Sequence, residues 1–423
     1  MKYDVIVIGA GTSGMMAAVS AAEHGAKTLL LEKNKRLGKK LLLTGGGRCN
    51  VTNNRSKEEV IAHIPGNGKF LFSAFSQFDN HQIMAFFEEH GVHLKEEDHG
   101  RMFPVSNRSK SVVNCLSEQL EQLHVTIKTE ASVKNILAEN NQITGVELSS
   151  GETYQTACLI VATGGKTYQH TGSTGDGYRF AKKLGHTVTP LFATEAPLVS
   201  NEPFIRDKQL QGLSMQDVSL SILGPKEKPI VTHQMDLLFT HFGLSGPAAL
   251  RCSMFVNKLL ESASEVTAIL DVFPEKDAPT LTRELELVKK EGANKSVKNA
   301  LKFLLPERYL LFLLEKATID ENKPYKQMEP KELEKFVTLL KNFPIKINGT
   351  WPIEKSFVTG GGISLKEITP KTLESKVVAG LFFTGEVLDI NGYTGGYNIT
   401  AAFVTGYVAG KHAAQIAAYT NYD

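Results

Sequence analysis

Apolar residues occur along the chain in two patterns, as short continuous runs and as helical repeats with a spacing of three or four. Residues 5–8 are all apolar, which is typical of a strand buried on both faces of a parallel sheet. A helical pattern of small residues follows at 17–22, and a second apolar run occupies 28–31. This order predicts a strand, a helix and a second parallel strand at the start of the chain.

A glycine-rich turn joins the first strand to the helix. Gly9, Gly11 and Gly14 have the GxGxxG spacing: the first glycine permits a tight turn, the second lets backbone approach a pyrophosphate, and the third lets the helix pack on the strand. Glu32 ends the second strand, where a carboxylate accepts hydrogen bonds from ribose hydroxyls. A turn made only for packing is the simpler alternative, but the combination favours a dinucleotide-binding Rossmann unit.

The following residues mix helical and strand patterns. Helical repeats at 70–90 and 111–123 lead into four short strands between 125 and 156, separated by turn residues, which predict a β-meander. An apolar run at 158–162 then indicates a return to the buried sheet, and it stops at a Thr-Gly-Gly turn.

Beyond about residue 190 the pattern lacks βαβ spacing. Residues 190–270 are rich in strand patterns, and residues 280–342 carry helical patterns with many lysines. A strand-like run at 351–358, a buried strand at 380–384 and a closing helix at about 400–418 complete the chain.

These changes predict three parts. The two ends of the chain, 1–189 and 355–423, form a discontinuous nucleotide-binding domain. An inserted β-rich substrate domain takes 190–275 and 343–354, and a helical subdomain takes 276–342. A chain of 423 residues is long enough for several domains.

Composition narrows the class of protein only slightly. A net charge of +2 gives no general attraction to nucleic acid or anionic membrane, although it allows a local basic patch. The four cysteines are scattered without a C-x-x-C pair, which argues against a zinc site or a redox disulfide. The sequence has no leader pattern and no apolar run long enough to cross a bilayer, so we expect a cytoplasmic protein without a membrane partner. Oligomeric state cannot be read from the pattern.

Three glycine-and-polar segments, 9–14, 163–165 and 384–398, each follow a predicted buried strand. Carboxyl ends of parallel strands meet at one edge of a sheet, so one long cofactor touching all three is the economical interpretation. The last segment enters the closing helix, whose N-terminal N–H groups can stabilise negative charge at the N1–C2=O edge of a reduced flavin. A helix entry made only for packing is the alternative.

Only one GxGxxG motif is present, so the chain has no second Rossmann unit for a nicotinamide dinucleotide. NAD(P)H, as an electron donor, would therefore visit the flavin transiently.

The segment 39–53 has chemistry that suits a flat ring. Its three consecutive glycines allow main chain to lie against a ring, Arg48 and Asn50 offer hydrogen-bond donors, and Cys49 is placed to sit near a flavin. Cys49 has no partner cysteine nearby in the sequence, so a small packing residue is the alternative to a redox nucleophile.

The motifs at 40–53, 162–178, 239–250 and 384–406 together resemble the BaiN/YhiN-type family of bacterial flavoproteins, also described as aminoacetone oxidase-like or NAD(FAD)-utilizing dehydrogenases. The resemblance spans essentially the whole chain. It implies an α/β fold in which a glutathione-reductase-like Rossmann domain binds FAD noncovalently and is interrupted by a β-barrel-like domain and a helical subdomain.

The resemblance also implies how FAD would lie. The first glycine turn and residues 163–164 would meet the diphosphate, Glu32 the adenosine ribose, Val133 the adenine through its backbone, Glu386 the ribityl chain, and 396–398 the isoalloxazine. With the motifs above, the predicted cofactor-binding residues are Gly9, Gly11, Thr12, Ser13, Gly14, Glu32, Lys33, Thr44, Gly45, Gly46, Arg48, Cys49, Asn50, Val133, Thr163, Gly164, Gly165, Gly385, Glu386, Gly395, Gly396, Tyr397, Asn398 and Ile399.

Two residues are candidates for the chemistry on a substrate. A hydride that passes from flavin N5 to a polarised double bond needs a proton donor on the opposite carbon, and His241 suits neutral pH. Arg101 can anchor a carboxylate, carbonyl or phosphate. Purely structural roles are the alternative for both. Many relatives carry a Tyr-Pro pair where this chain has 168–170, so we expect a different turn there.

The sequence thus predicts an FAD-dependent oxidoreductase that transfers hydride between flavin N5 and a C=C or C–N bond of an unidentified small-molecule substrate. Reduction of a uridine of ribosomal RNA to dihydrouridine is one alternative, because lysines at 289–302 can form a basic surface, although an ordinary solvated helix face explains them too. A flavin-binding protein without turnover and a purely NAD-dependent dehydrogenase are the others. No metal site is expected.

Overall fold

The structure is a computed structural model, and it describes residues 2–420. The chain forms two compact units, each with its own hydrophobic core. The first unit combines Met1–Phe192 with Ile353–Asp423, and the second is Ala193–Pro352. The existence of a separate helical subdomain within the second unit stays a prediction.

Twenty strands and thirteen helices are formed within residues 2–420. The strands are β1 (Val5–Ile8), β2 (Thr28–Leu31), β3 (Thr52–Asn53), β4 (Leu94–Glu97), β5 (Arg101–Pro104), β6 (Thr126–Lys128), β7 (Val133–Glu139), β8 (Gln142–Leu148), β9 (Thr153–Gln155), β10 (Cys158–Val161), β11 (Phe192–Thr194), β12 (Leu198–Val199), β13 (Ser214–Leu223), β14 (Pro229–Phe239), β15 (Gly243–Ser245), β16 (Val266–Asp271), β17 (Phe343–Ile347), β18 (Gly349–Thr350), β19 (Val358–Gly360) and β20 (Leu381–Phe383). The helices are α1 (Thr12–Glu23), α2 (Lys57–Ala62), α3 (Phe72–Phe75), α4 (Asn80–Glu89), α5 (Ser109–Gln122), α6 (Asp176–Lys183), α7 (Pro203–Arg206), α8 (Pro247–Leu260), α9 (Ala278–Glu291), α10 (Val297–Leu301), α11 (Glu307–Ala317), α12 (Pro330–Lys341) and α13 (Tyr397–Thr420).

A five-stranded parallel sheet forms the centre of the first unit, in the order β20-β10-β1-β2-β6. Strands β1, β2 and β10 are buried along their whole length, as their continuous apolar sequences predict. The predicted Rossmann core is therefore confirmed.

The predicted four-stranded meander is wrong in one strand. Only β7, β8 and β9 form an antiparallel sheet, whereas β6 pairs in parallel with β2. Helix α5 lies between β2 and β6 in the sequence, and a helical crossover of this kind allows the parallel pairing.

The second unit contains a mixed-length antiparallel sheet in the order β17-β16-β13-β14-β15-β12-β18. Helix α8 packs on β13 and β14, and α9 to α12 supply the predicted helical region. Sequence analysis missed α8, although Pro247 in its first turn is a common helix-start residue. The strand predicted at 351–358 is also wrong, because a 3₁₀ turn at Ile353–Lys355 occupies it and β19 begins only at Val358. Within residues 2–420, no helix combines the length and the apolar character that a membrane span requires.

Close backbone packing joins the first and the last helix of the first unit. A Cβ at Gly406 would overlap the carbonyl oxygen of Ser13, and a Cβ at Gly410 would overlap that of Ala17. Glycines four residues apart on α13 thus let it cross α1 at backbone distance. The carboxy-terminal segment before α13 is held beside the amino-terminal glycine turn as a result.

We predict that Gly410→Ala destabilises the protein by about 1–3 kcal/mol, because the added methyl group overpacks the helix crossing. Helix propensity alone would make the same change stabilising by about 1 kcal/mol, so the sign of the effect tests the contact. Unfolding in urea measures it. Ala418→Gly, at an exposed position of α13, is the matched control and should cost about 1 kcal/mol by propensity alone. A Gly410→Ala protein as stable as the wild type would contradict the prediction.

Candidate functional site

The three glycine-and-polar segments lie at one edge of the parallel sheet. They follow β1, β10 and β20, which are neighbouring parallel strands. A Cβ at Gly9 would lie 2.6 Å from the carbonyl oxygen of Ala162, and a Cβ at Gly385 would lie 2.5 Å from Oγ of Ser13. The amino-terminal turn therefore contacts both of the other segments, as the order of the strands predicts.

The first glycine turn leaves space where a ligand backbone would approach. Gly11 has no atom within 4 Å of its Cβ position, whereas a Cβ at Gly14 would overlap the carbonyl oxygen of Gly9. The space at Gly11 is what a pyrophosphate needs to approach the backbone, and the close contact at Gly14 is what lets the helix pack on the strand, as the GxGxxG spacing predicts. Thr12 and Ser13 begin α1 directly behind the turn, where N–H groups lack partners within the helix.

Glu32 is fixed beside this turn. The carboxylate is only 8% exposed; it accepts hydrogen bonds from the backbone N–H of Ala10 at 2.8 Å and from the backbone and side chain of Asn34 at 2.8 and 2.7 Å. The N–H of Ala131 donates to the carbonyl oxygen of Glu32 at 2.9 Å, which places the start of β7, with Val133, next to it. Lys33 is turned to the start of α6, where it pairs with Asp176 at 2.7 Å.

An ion pair that sequence analysis missed connects two of the site segments. Nζ of Lys40 donates to Oε2 of Glu386 at 2.6 Å and to Oγ1 of Thr167 at 2.8 Å. The other carboxylate oxygen of Glu386 accepts from the N–H of Thr359 at 2.9 Å. Burial raises the pKa of Glu386, but the Lys40 ammonium and the hydrogen bonds together lower the pKa by more than burial raises it. The pKa of Glu386 therefore lies below the usual carboxyl value.

Glycine at 165 makes this arrangement possible. A Cβ there would overlap Oγ1 of Thr359 and would lie 2.9 Å from Cδ of Glu386. Gly164 has a φ of +72°, and Thr163 has a buried hydroxyl with no hydrogen-bond partner among the described residues.

The segment 44–53 packs against the start of α13. Gly45, Gly46 and Cys49 all have positive φ angles, which turn the chain back on itself, and Thr44 accepts from the N–H of Cys49 at 3.0 Å. Asn50 is 8% exposed, and its Oδ1 has no hydrogen-bond partner in the part of the chain that the structure describes.

Direct contacts tie this segment to the last glycines. A Cβ at Gly396 would lie 2.7 Å from the carbonyl oxygen of Thr52 and 3.0 Å from Oδ1 of Asn50. Nδ2 of Asn53 donates to the carbonyl oxygen of Gly395 at 3.1 Å. Residues predicted from two distant motifs thus meet at one place.

The first residues of α13 have different surroundings. Tyr397 is buried and stacks on the ring of His63, with 4.7 Å between centroids. The side chain of Asn398 bonds to both backbone groups of Gly392, each at 2.7 Å, and to the carbonyl oxygen of Tyr393. Asn398 therefore shapes the preceding turn with its side chain, and Ile399 packs against the core.

Both arginines of the site lie on or against the β4–β5 hairpin. Arg48 pairs with Glu97 at 2.8 Å, with its guanidinium 4.2 Å from the ring centroid of Phe103. Arg101 pairs with Asp98 at the hairpin tip. Asn53 links this hairpin tip to Gly395, because its Nδ2 donates to the carbonyl oxygen of His99 at 3.0 Å as well as to that of Gly395.

His241 belongs to the second unit. It lies in the turn between β14 and β15, where its ring meets that of Phe242 edge-on at 5.0 Å between centroids. The three segments 9–14, 163–165 and 384–398, which all belong to the first unit, build one edge of the parallel sheet, which we term the glycine-lined edge. His241 is not part of it. No group of three metal-ligating side chains is found in residues 2–420.

The geometry defines a class of protein. A parallel sheet with a GxGxxG turn, a buried acid after the second strand and two further glycine loops at the same edge is the arrangement of dinucleotide-binding oxidoreductases. The profile of the family described as "HI0933-like protein Rossmann domain" matches residues 3–412. The chain belongs to this family, and it is an FAD-dependent oxidoreductase. The resemblance to YhiN-type flavoproteins is confirmed.

Two similar proteins cover nearly the whole chain. One is the ribosomal RNA dihydrouridine synthase of Escherichia coli (strain K12), 30% identical over 412 residues, which are 97% of this chain and 98% of that protein. The other is the 3-dehydro-bile acid delta(4,6)-reductase of Clostridium scindens, with the same identity and coverage. The 3-ketosteroid delta1-dehydrogenase of Sterolibacterium denitrificans shares the fold, with a TM-score of 0.54 at 14% identity over 98% of this chain and 100% of that one.

We predict that Lys40→Met destabilises the protein by about 1–3 kcal/mol, because it leaves the partly buried carboxylate of Glu386 without its cation. Glu386→Gln in the same background should recover part of the loss, which a double-mutant cycle in urea measures. Additive effects of the two changes would contradict the coupling.

The same pair predicts a pH dependence. Since the pKa of Glu386 is lowered in the folded protein, its stabilisation is complete above the ordinary carboxyl pKa and is lost as the pH falls through the lowered value. The slope of unfolding free energy against pH in the acid range should therefore be smaller for Glu386→Gln than for the wild type. Equal slopes would exclude this contribution.

Burial raises the pKa of the Cys49 thiol to about 12, which argues against a thiolate nucleophile. We expect no reaction of Cys49 with a disulfide reagent at pH 8 until the protein unfolds. Absorbance of the released thiolate, with Cys49→Ser as the control, measures this; rapid labelling of the native protein would restore the redox interpretation.

Proposed function

We propose that the chain is a reductase that uses FAD to transfer hydride to a carbon–carbon double bond conjugated to a carbonyl group. The observation that carries the proposal is the meeting of Asn50, Gly396 and the first turn of α13 at the glycine-lined edge. FAD supplies two-electron hydride chemistry when it is bound.

The residues present fit FAD. Gly11 offers open backbone, and Oδ1 of Asn50 and the hydroxyls of Thr163 and Thr384 are buried polar atoms without a partner among the described residues. Because buried polar atoms are normally hydrogen-bonded, a polar ligand at this edge accounts for them.

In this proposal the first glycine turn and α1 hold the diphosphate, Glu32 the adenosine ribose, Val133 the adenine, and Glu386 the ribityl chain. The N–H groups at the start of α13 would stabilise negative charge on the flavin ring, since the N-terminal end of a helix carries partial positive charge. Asn50 and Gly396 would border the ring.

The substrate would be held and protonated by other groups. Arg101 stands on the hairpin whose tip Asn53 joins to Gly395, so it is suited to anchor the carbonyl oxygen of a substrate. His241 remains the proposed proton donor to the carbon that does not receive hydride. NAD(P)H is the proposed electron donor.

Two relatives of equal identity supply the substrate class. Dihydrouridine formation and bile acid delta(4,6) reduction, the reactions in their names, both saturate a double bond conjugated to a carbonyl group. A uridine of ribosomal RNA is therefore the second candidate substrate. The lysines at 289–302 add little support for it, because Lys298 is paired with Glu321.

Anaerobic reoxidation tests the proposal. Dithionite-reduced holoenzyme should be reoxidised by a 3-keto-4-ene steroid or by ribosomal RNA from cells that lack the gene, with a mass gain of two hydrogens in the product. Reoxidation by neither probe would contradict the proposed reaction.

We predict that Arg101→Ala raises the KM for the accepted probe about 10- to 100-fold, because a charge-assisted hydrogen bond to the substrate is worth about 1.5–3 kcal/mol. Lys69→Gln, an exposed cation elsewhere in the first unit, is the control. An unchanged KM would remove Arg101 from the substrate site.

A further inference from the structure

Three aromatic side chains form a cluster next to the Lys40–Glu386 pair. The ring of Tyr168 lies 5.9 Å from that of His170 and 6.1 Å from that of Phe357, between centroids. Phe357 is 46% exposed and His170 is exposed, so the cluster, which we term the aromatic triad, presents ring surface to solvent.

The aromatic triad is continuous with the glycine-lined edge. Thr167, the residue before Tyr168, accepts a hydrogen bond from Lys40, which pairs with Glu386. Nothing in the roles proposed for FAD binding uses the exposed rings.

The backbone at the triad is strained. Tyr168 has φ 51° and ψ 51°, a left-handed conformation that is unfavourable for a bulky residue. Its carbonyl oxygen accepts from both the N–H and the hydroxyl of Thr171, each at 2.8 Å, which holds the turn in place. Such strain clusters at ligand-binding sites.

One lysine contacts the backbone of the triad, and a second lies close to it in the sequence with its side chain beside Gly175. Nζ of Lys39 donates to the carbonyl oxygen of His170 at 2.6 Å, and Lys166 lies two residues before Tyr168. Neither forms an ion pair with a carboxylate in residues 2–420, in contrast to Lys33 and Lys40, which are neutralised.

We propose that the aromatic triad with Lys39 and Lys166 is the docking surface for a pyridine dinucleotide that reduces the flavin. A planar nicotinamide would stack on the rings, and the two linked phosphates would meet the ammonium groups of Lys39 and Lys166, which have no carboxylate partner in residues 2–420. A strand of RNA would need a longer basic track, and the neighbouring Lys33 and Lys40 carry no free charge.

The proposal rests on the proposed function, in which an external donor supplies the electrons. In the transfer, C4 of the dihydronicotinamide gives a hydride to bound FAD and solvent gives one proton. The dinucleotide leaves oxidised and the FAD is reduced by two electrons. A partly exposed surface suits a donor that binds, reacts and leaves, and it agrees with the single GxGxxG motif.

Binding is tested without turnover by titrating NADP⁺ and NAD⁺ into oxidised holoenzyme in a calorimeter at two salt concentrations. At least one dinucleotide should bind. Phe357→Ala should weaken dinucleotide binding about 10-fold. Tyr168→Gly should weaken binding to a similar extent, and glycine adopts the left-handed conformation at this position without strain. The double variant Lys39→Gln, Lys166→Gln should weaken binding and reduce its dependence on salt. Phe72→Ala, which removes a ring 48% exposed elsewhere in the first unit, is the matched control and should change nothing.

Rapid mixing separates this site from the substrate site. The triad variants should slow flavin bleaching by NADPH or NADH while the dithionite-reduced enzyme is reoxidised by substrate at the wild-type rate, with bound FAD and thermal midpoint unchanged. Wild-type holoenzyme that neither binds nor accepts electrons from either dinucleotide would overturn the inference. Unchanged dinucleotide binding in Phe357→Ala would also overturn it. The same holds if a uridine oligonucleotide binds the wild type more tightly than either dinucleotide and the triad variants abolish that binding. Failure of substrate reoxidation alone would count against the proposed function and leave the donor surface standing.

Discussion

The crossing of α1 and α13 at backbone distance is the contact on which the first unit depends. Gly406 and Gly410 bring α13 against the carbonyl oxygens of Ser13 and Ala17, and no other residue type leaves that space. Residues at opposite ends of the chain thereby become neighbours, and the edge of the sheet acquires its third glycine loop. Without this crossing, the amino-terminal turn would face only the loop after β10.

Electrostatics complements the packing at the same edge. The Lys40–Glu386 pair adds an ion pair to the hydrogen bond and packing contacts that join the 39–53 and 384–398 segments, and Thr167 and Thr359 complete its hydrogen bonds. Because the pair is only partly exposed, removing one partner strands a charge. The pair therefore stabilises the fold and also fixes where the Glu386 carboxylate lies.

Sequence reasoning succeeded where a local pattern has one structural meaning. The GxGxxG turn, the buried strands and the rule that parallel strands end at one edge led to the contacts of Gly9, Gly385 and the 163–165 loop. It failed where partners are distant: nothing near Lys40 indicates Glu386, and a three-residue strand such as β6 does not state which sheet it joins. The hydrogen bonds from the Asn398 side chain to its own turn were also not foreseen, and its contact with a flavin ring stays a prediction.

The nesting of Ala193–Pro352 within the other unit sets an order for synthesis on the ribosome. Strand β10 cannot pair with β20, nor Thr52 with Thr400, until residues 381–400 have emerged. The inserted unit lies in one continuous stretch and is able to fold before the first unit is complete, although the first unit begins earlier in the chain. Nascent β10 thus keeps one edge unpaired until β20 emerges, and a chain truncated before α13 is expected to be a client of chaperones rather than a smaller flavoprotein.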